Sequence, residues 1–289
     1  MTWKDNSLRI ITFNFSPIAY RLLAKWIHET NNEHVLTVTT PGPKSRPTPA
    51  YKDVIKAASG NLVTTHLKTV ATPMIQALSP DLIICYSFPY RLTSEMISIP
   101  KIGAVNLHPT LLPAYRGPNI FRIFYDGADE YGVTLHWMAE DFDTGNILGQ
   151  ASAPMPEKIN PEAIITDWFE KTAYSALIEG MEKVIAGDMG IAQNNSQATY
   201  AAPFTKEEEW LDWNESRRTL QLKHMALQMG ESGGAKAYIR GKPYLIKNIE
   251  MPVSDQLSPQ IGEIVFHENN WWYIQTGDGV LRIQVEALS

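Results

Sequence analysis

Short apolar runs, each the length of a β-strand, constrain the fold of this chain more than any other feature. Asp81–Tyr86 is almost wholly apolar, which is typical of a central parallel strand covered on both faces. Ile102–Leu107 has the same character, and Leu8–Phe15 is a further apolar run. Ser16 and Pro17 then begin a helical pattern, because serine is a good N-cap and proline suits the first helical position. Strands that alternate with helices in this way predict a doubly wound α/β domain.

The pattern changes in the second half of the chain. Gly132–Met138 and Ile147–Pro154 are predicted strands joined by a turn at Asp143, and Pro161–Ala186 is predicted as one long amphipathic helix. From Phe204 onward, a helix and several short strands predict a small, mainly β, barrel-like second domain. The predicted organisation is a first domain over 1–190, a linker over 191–205 and a second domain over 206–289.

Composition narrows the class of protein. The 289 residues fit two domains, and 44% hydrophobic with 19% charged residues is ordinary for a globular chain. Cys85 is the single cysteine, so no disulfide can form within the chain, and we expect a cytoplasmic protein whose one thiol is an unreactive core residue. The net charge of -6 argues against a generally basic nucleic-acid binder. No apolar run reaches the length of a membrane span, so we expect no membrane partner.

Ligands of doubly wound sheets bind at the carboxyl ends of the strands. That rule points to three segments: 14–16, 86–90 and 106–117. Asn106 and His108 alternate along a predicted strand, so both side chains point the same way until Pro109 ends the ladder. Asparagine offers a neutral donor, and histidine transfers protons near neutral pH. A capped strand end with a hydrogen-bonded histidine explains the same residues, just as ordinary turn chemistry explains Asp143.

Four longer motifs surround these residues. They are Asn106-Leu-His-Pro-Thr-Leu-Leu-Pro113, Tyr115-Arg-Gly117, Gly132-Val-Thr-Leu-His136 and Asp143-Thr-Gly-Asn-Ile-Leu-Gly-Gln150. On these motifs the chain resembles the 10-formyltetrahydrofolate-dependent formyltransferases, whose members include methionyl-tRNA formyltransferase and several sugar-amine N-formyltransferases. The resemblance continues through Phe204–Trp213, which is similar to the junction before the C-terminal domain of methionyl-tRNA formyltransferase.

The resemblance implies a Rossmann-like formyltransferase domain and the transfer of a formyl group from 10-formyltetrahydrofolate to a primary amine. It makes Asn106, His108 and Asp143 catalytic: the first two would stabilise the oxyanion of a tetrahedral intermediate, and Asp143 would favour the imidazolium or relay a proton. The residues implied for folate binding are Phe88, Pro89, Tyr90, Arg91, Leu92, Met138, Ala139, Glu140, Asp141 and Phe142. The residues implied for acceptor binding are Asn14, Phe15, Ser16, Arg116 and Gly117.

Residue types alone leave alternatives at several positions. Core packing explains Phe88 and Leu92 equally well, and a structural role explains His136. Trp271-Trp-Tyr273 suits either a stacking platform for a base or sugar or partial packing in the core of the second domain. The histidines outside the motifs have no metal-ligand spacing, so we expect no metal.

The chain departs from methionyl-tRNA formyltransferase in the proline-rich loop 41–49, whose only cations are Lys44 and Arg46. That enzyme has a long basic loop there, and phosphate contacts dominate nucleic-acid affinity. We therefore expect a small-molecule amine as the acceptor, such as an amino sugar or a natural-product intermediate. Methionyl-tRNA is the alternative acceptor, a non-catalytic folate- or RNA-binding descendant is a third hypothesis, and the oligomeric state stays open.

Overall fold

The structure is a computed structural model that describes residues 7–42, 50–65, 68–230, 232–252 and 260–288. The chain forms two compact units. The N-terminal unit comprises Met1–Gly117, Glu130–Pro154 and Glu162–Tyr200, and the C-terminal unit comprises Pro118–Asp129, Met155–Pro161 and Ala201–Ser289. The domain and linker boundaries given above stay predictions, and Lys44 and Arg46 lie outside the described residues. Within the described ranges, no helix is both long and apolar enough to cross a membrane.

A seven-stranded sheet forms the centre of the N-terminal unit. Its strands are β1 (Arg9–Phe13), β2 (Glu33–Thr39), β3 (Leu62–Thr64), β4 (Leu82–Tyr86), β5 (Gly103–His108), β6 (Glu130–Trp137) and β7 (Ile147–Pro154). The strand order is β3-β2-β1-β4-β5-β6-β7. The first five strands in this order are parallel, while β6 is antiparallel to β5 and β7 is antiparallel to β6. The predicted α/β fold is confirmed, and every residue of β4 is buried, as its apolar run predicts.

Helices connect these strands and continue into the C-terminal unit. They are α1 (Pro17–Glu29), α2 (Ala50–Ala57), α3 (Lys68–Leu78), α4 (Ser94–Ser98), α5 (Arg122–Tyr125), α6 (Pro161–Thr166), α7 (Ala173–Ala186) and α8 (Arg217–Met229). Pro17 takes the first position of α1, as its fixed φ favours. α7 ends at Gly187, which has a left-handed φ of 76° that closes the last turn.

The long helix predicted over 161–186 is interrupted by a π-helical turn, Asp167–Thr172, between α6 and α7. Tertiary contacts explain this difference from the prediction. The Tyr86 hydroxyl donates a hydrogen bond of 3.2 Å to the Phe169 carbonyl, and Trp168 Nε1 donates one of 2.8 Å to the Gly132 carbonyl. A π turn changes the helical register locally, and it leaves the Phe169 carbonyl able to accept the Tyr86 hydrogen bond.

The C-terminal unit contains a second, antiparallel sheet. Its strands are β8 (Lys236–Ile239), β9 (Lys242–Glu250), β10 (Ile264–Glu268), β11 (Trp271–Thr276) and β12 (Gly279–Ala287), in the order β10-β11-β12-β9-β8. Leu220 and Leu227 of α8 pack with Ile246, Ile274 and Leu281 of the sheet in one apolar cluster. The prediction of a small, mainly β second unit is confirmed.

The aromatic motif of β11 divides between two environments. Trp272 packs against the apolar cluster, and its ring centre lies 5.2 Å from that of Tyr244. The Arg282 guanidinium lies 4.5 Å from the ring centre of Trp271. Trp272 is therefore used for packing, whereas Trp271 carries an arginine over its ring.

Lowering the pH from about 7.5 to about 5 is expected to destabilise the protein through His224. This side chain is buried, its Nε2 lies 3.3 Å from the Ile246 carbonyl oxygen, and burial lowers its pKa from 6.5 to about 4. Between pH 6.5 and about pH 4, His224 is protonated in the unfolded chain but neutral in the folded chain. The free energy of unfolding therefore falls as the pH drops below 6.5. The loss from this group is about 2 kcal/mol at pH 5.

Urea unfolding at both pH values measures this effect. His224→Gln keeps an N–H donor but does not titrate, so we expect it to lose about 2 kcal/mol less stability than the wild type on acidification. His267→Gln, at an exposed histidine, is the matched control and should follow the wild type. An equal loss in the wild type and His224→Gln would contradict the prediction.

Candidate active site

Asn106 and His108 lie on the same face of β5, at its carboxyl end. The antiparallel pairing with β6 aligns Asn106 with His136 and His108 with Thr134. His108 is buried, and its Nε2 lies 3.1 Å from the Tyr115 carbonyl oxygen. Because that oxygen only accepts, Nε2 of His108 is the nitrogen that carries a hydrogen in the neutral ring.

Asp143 lies in the turn between β6 and β7 and faces both residues. Its Oδ1 is 3.5 Å from Nδ1 of His108, 3.4 Å from Nδ2 of Asn106 and 3.6 Å from Nε2 of His136. Its Oδ2 accepts a hydrogen bond of 3.0 Å from the backbone N–H of Gly117. The structure thus brings together the three residues predicted as catalytic, although Asn106 and Asp143 are 37 positions apart.

Burial and charge oppose each other in the His108–Asp143 pair. Burial lowers the pKa of His108 by more than the Asp143 charge and the Tyr115 carbonyl raise it, so the net shift is downward. Burial would by itself raise the pKa of Asp143, but the His108 charge and the Gly117 N–H are among the groups that hold that pKa well below its ordinary value. Asp143 is therefore an anion near neutral pH, and its charge stabilises an imidazolium at His108.

His136 orients the amide of Asn106. Its Nδ1 lies 2.8 Å from the Trp137 carbonyl oxygen, so this nitrogen carries the hydrogen of the neutral ring. Nε2 then accepts a hydrogen bond of 3.2 Å from Nδ2 of Asn106. The amide nitrogen of Asn106, rather than its oxygen, is thereby turned toward Asp143.

Thr134 fixes the loop that follows β5. Its fully buried hydroxyl donates a hydrogen bond of 2.7 Å to the Thr110 carbonyl and accepts bonds from the Leu112 N–H and Gln150 Nε2 at 3.0 and 2.9 Å. Thr134 is absent from the predicted site. A hydroxyl between Val133 and Leu135 in a buried strand is the signal that could have identified it.

The two segments predicted to bind folate lie against each other. The Arg91 guanidinium is 5.8 Å from the ring centre of Phe142, and Phe88 and Met138 pack on the same apolar cluster. Phe88 and Tyr90 meet edge to face at 5.9 Å. Phe142, immediately before Asp143 in the chain, is 59% exposed.

The other predicted folate residues differ in exposure. Leu92 is buried in the same apolar cluster as Phe88, in agreement with the core packing considered for it. Ala139 is half-buried, and three residues are exposed: Pro89, Glu140 and Asp141. The Leu92 side chain, in contrast to these residues, does not reach the surface.

Asn14, Phe15 and Ser16 lie just beyond the carboxyl end of β1. Asn14 is fully buried, and its Oδ1 has no hydrogen-bond partner among the described residues. The Phe15 N–H donates a hydrogen bond of 3.1 Å to the Ser87 carbonyl, which joins this turn to the predicted folate loop. In the part of the chain that the structure describes, no hydrogen bond or ring contact joins these three residues to the triad.

Arg116 and Gly117, in contrast, lie beside Asp143. Nε and Nη2 of Arg116 donate hydrogen bonds to Oε1 of Gln193 at 3.0 and 2.7 Å. Gly117 has a φ of 106°, and a Cβ at this position would lie 2.4 Å from the Tyr200 ring. Both the positive φ and the packing of the Tyr200 ring therefore favour glycine at position 117.

Gln193 is a further contact of the site that the sequence does not single out. Its Nε2 donates hydrogen bonds to the carbonyls of Asp143 and Gly145 at 2.8 and 2.7 Å. The residue falls within the segment 191–205 predicted as a linker, where many neighbouring residues are polar and no sequence pattern distinguishes it from them. Across the described residues, no group of three or more histidine, cysteine, aspartate or glutamate side chains is arranged to hold a metal ion.

Comparison with family models gives two matches along the chain. The formyl transferase model matches residues 16–180, and the model of the formyl transferase C-terminal domain matches residues 203–287. The methionyl-tRNA formyltransferase of Syntrophomonas wolfei is 30% identical over 249 residues, which cover 84% of this chain and 77% of that protein. The corresponding enzyme of Borrelia hermsii is 29% identical over 95% of this chain and 90% of its own length.

Solved structures share the fold at lower identity. HypX from Aquifex aeolicus in complex with tetrahydrofolic acid is 19% identical, with a TM-score of 0.70 over 98% of this chain. The match spans 45% of the HypX chain. WlaRD, a sugar 3N-formyl transferase, is 17% identical, with a TM-score of 0.60 over 98% of this chain and 99% of its own.

Both family models match in the order that the two units take along the chain, and the first alone spans more than half of it. The relative from Syntrophomonas wolfei agrees with them at 30% identity over most of the chain. On this evidence, the chain belongs to the formyl transferase family.

Proposed function

We propose that this protein moves the formyl group of 10-formyltetrahydrofolate to a primary amine of a small molecule. The observation that carries the proposal is the assembly of Asn106, His108 and Asp143 at the carboxyl end of β5, where Asp143 Oδ1 lies within 3.5 Å of both partners. Carboxyl ends of strands are the ligand-binding edge of such sheets. The three groups together offer one amide donor, one titratable ring and one buried anion.

10-Formyltetrahydrofolate would supply the formyl carbon that the amine attacks. Asn106 Nδ2 is the donor for the negative charge that develops on the formyl oxygen, and stabilisation by fixed donors is usually the largest catalytic contribution. The two nitrogens of His108 face the Tyr115 carbonyl and Asp143, so the protonated ring contributes positive charge beside that oxygen rather than a hydrogen bond. Asp143 stabilises the protonated His108 ring and accepts a proton released by the attacking amine. The proton returns to the departing folate nitrogen, so no metal and no nucleophilic side chain is needed.

The residues present fit a flat folate ring. Phe88, Tyr90 and Phe142 offer aromatic surface, and Arg91 adds a cation beside Phe142. Planar rings stack on aromatic side chains, and the exposed backbone at 139–142 offers hydrogen-bonding groups. We assign these segments to the pterin, with Asn14, whose Oδ1 is unpartnered among the described residues, on the acceptor side.

The charge distribution of the C-terminal unit supports a small acceptor. Acidic residues outnumber basic ones over 201–289, and most cations there are held by carboxylates of the same unit. The ion pairs are Lys206–Glu209, Lys236–Glu209, Arg217–Asp278, Lys223–Glu215, Lys247–Glu286 and Arg282–Glu250. Cations engaged in this way contribute less to phosphate binding, on which nucleic-acid affinity depends.

Methionyl-tRNA is the second candidate acceptor. Relatives named methionyl-tRNA formyltransferase align over both units, for example along 95% of this chain. An activity shared with those relatives would use the same three residues, so the triad does not separate the two acceptors. The two acceptors are distinguished only by the acceptor side of the site and by the surface charge.

An acceptor panel tests the proposal. With 10-formyltetrahydrofolate as donor, we expect the wild type to formylate a nucleotide-linked amino sugar or related amine with a kcat/KM at least about tenfold above that for methionyl initiator tRNA. Formation of the N-formyl product is followed by mass spectrometry, with His108→Ala as the inactive control. Efficient formylation of the tRNA and none of the small amines would replace the first candidate by the second, and no transfer to any amine would refute both.

A further inference from the structure

The segment 191–199 lies along the active site and is joined to it at both ends. The backbones of Ile191 and Ile147 exchange two hydrogen bonds of 2.8 Å just after the turn that carries Asp143. At the other end, the Arg116 N–H donates a bond of 3.0 Å to the Thr199 carbonyl. The segment therefore connects the loop after β5 with the turn after β6.

Gln193 stands between these two attachments, and its side chain uses all of its polar atoms. Nε2 donates to the carbonyls of Asp143 and Gly145 at 2.8 and 2.7 Å, while Oε1 accepts two bonds from Arg116 at 3.0 and 2.7 Å. An amide is required at this position, because one end must donate to carbonyls and the other must accept from a guanidinium.

The turn that Gln193 holds is a strained one. Asp143 has a φ of 55°, a left-handed conformation that costs a residue other than glycine free energy. Gly145 is packed so closely that a Cβ there would lie 1.7 Å from the Trp137 carbonyl oxygen. Such a backbone persists only where its surroundings hold it, and the two bonds from Gln193 engage carbonyls on both sides of Thr144.

We infer that Gln193 is a positioning residue that holds the Asp143 carboxylate in register with His108 and couples this register to Arg116. The inference rests on the proposed function, since it assigns Asp143 a part in the transfer. Gln193 makes no contact with the reacting groups in this account. Its effect passes through the backbone of the turn, where a displacement of about 1 Å is enough to lower a rate strongly.

Two substitutions separate the functions of the amide. Gln193→Leu removes both the N–H donor and the oxygen acceptor of the amide while keeping a similar side-chain volume. Gln193→Glu keeps oxygens that accept from Arg116 but places a carboxylate against the carbonyls of Asp143 and Gly145. We expect both to lower kcat by about ten- to a hundredfold, with the KM for the folate donor within about threefold of the wild type. Gln197→Leu is the matched control, because Gln197 lies in the same segment, is exposed and makes no side-chain hydrogen bond among the described residues.

A second readout needs no activity. His108 faces Asp143 and His136, and the Asp143 charge acts to raise its pKa. We expect NMR titration of the His108 ring to give a lower pKa in Gln193→Leu than in the wild type and in Gln197→Leu, while thermal unfolding stays within a few degrees. A purely structural role would lower the unfolding temperature and leave the His108 titration unchanged.

The outcomes distinguish this inference from the proposed function. If the wild type transfers formyl but Gln193→Leu or Gln193→Glu retains a kcat within about threefold of Gln197→Leu, the inference is wrong and the function stands. If no amine is formylated by the wild type, the function is wrong, and the His108 titration alone decides the inference. An unchanged His108 pKa in Gln193→Leu overturns it in either case.

Discussion

Replacing Asp143 by asparagine is expected to lower the kcat of formyl transfer by about a hundred- to ten-thousandfold, the range of general acid–base catalysis. Asparagine keeps the shape of the side chain and an oxygen for the Gly117 N–H, which lies 3.0 Å from Oδ2 in the wild type. What it removes is the buried charge 3.5 Å from His108 Nδ1. The KM for the folate donor should change little, because the carboxylate does not belong to the residues assigned to the pterin.

The pH dependence gives this substitution a signature of its own. Burial lowers the pKa of His108 and the Asp143 charge opposes that effect, so removal of the charge leaves burial to lower the pKa further. A step that uses the imidazolium is then lost at a lower pH than in the wild type, and the alkaline limb of the kcat profile moves to lower pH. Glu130→Gln, at an exposed carboxylate on the same strand pair, is the control. If the kcat of Asp143→Asn were within about threefold of that of Glu130→Gln, the proposed part of Asp143 in the transfer would be wrong.

The predictable part of the site is the part that local pattern determines. Asn106 and His108 share a face because a strand alternates, and the apolar run before them marks the strand as central. Asp143 stands in a turn between two recognisable strands. These signals lie within a few positions of Asn106 and His108, so local pattern places both at one edge of the sheet, whereas the role of Asp143 was implied only by the family resemblance.

Gln193 and the π-helical turn could not be predicted from the sequence, because both depend on contacts between distant positions. The Gln193 amide meets Asp143 across 50 positions, and nothing near Gln193 distinguishes it from other polar residues of the segment. The π turn contains Phe169, whose carbonyl accepts a hydrogen bond from the Tyr86 hydroxyl 83 positions away in the sequence. Helical periodicity over 161–186 is intact in the sequence, and tertiary contacts alter the register locally. Such features depend on where distant elements meet, which a local pattern does not encode.

The second large effect is expected at Asn106, where alanine should lower kcat by about a hundred- to a thousandfold, as the loss of one oxyanion donor does. Nδ2 has two hydrogens, one directed to His136 Nε2 at 3.2 Å and one to Asp143 Oδ1 at 3.4 Å. The bond to His136 fixes the orientation of the amide, so the hydrogen directed at Asp143 is the one that we expect to be shared with the formyl oxygen. His136 keeps the amide from flipping and presenting its oxygen instead.

Asn106→Asp makes this assignment testable. It places a second carboxylate about 3.4 Å from Asp143, and two carboxylates so close raise the pKa of one of them. The protonated form carries an O–H that can replace the lost N–H donor, whereas the ionised form repels the developing oxyanion. We therefore expect the kcat of Asn106→Asp to rise as the pH falls below neutrality, while Asn106→Ala shows no such recovery. Steady-state rates of both variants over the same pH range make the comparison, and parallel profiles would mean that donation from position 106 does not contribute to the transfer.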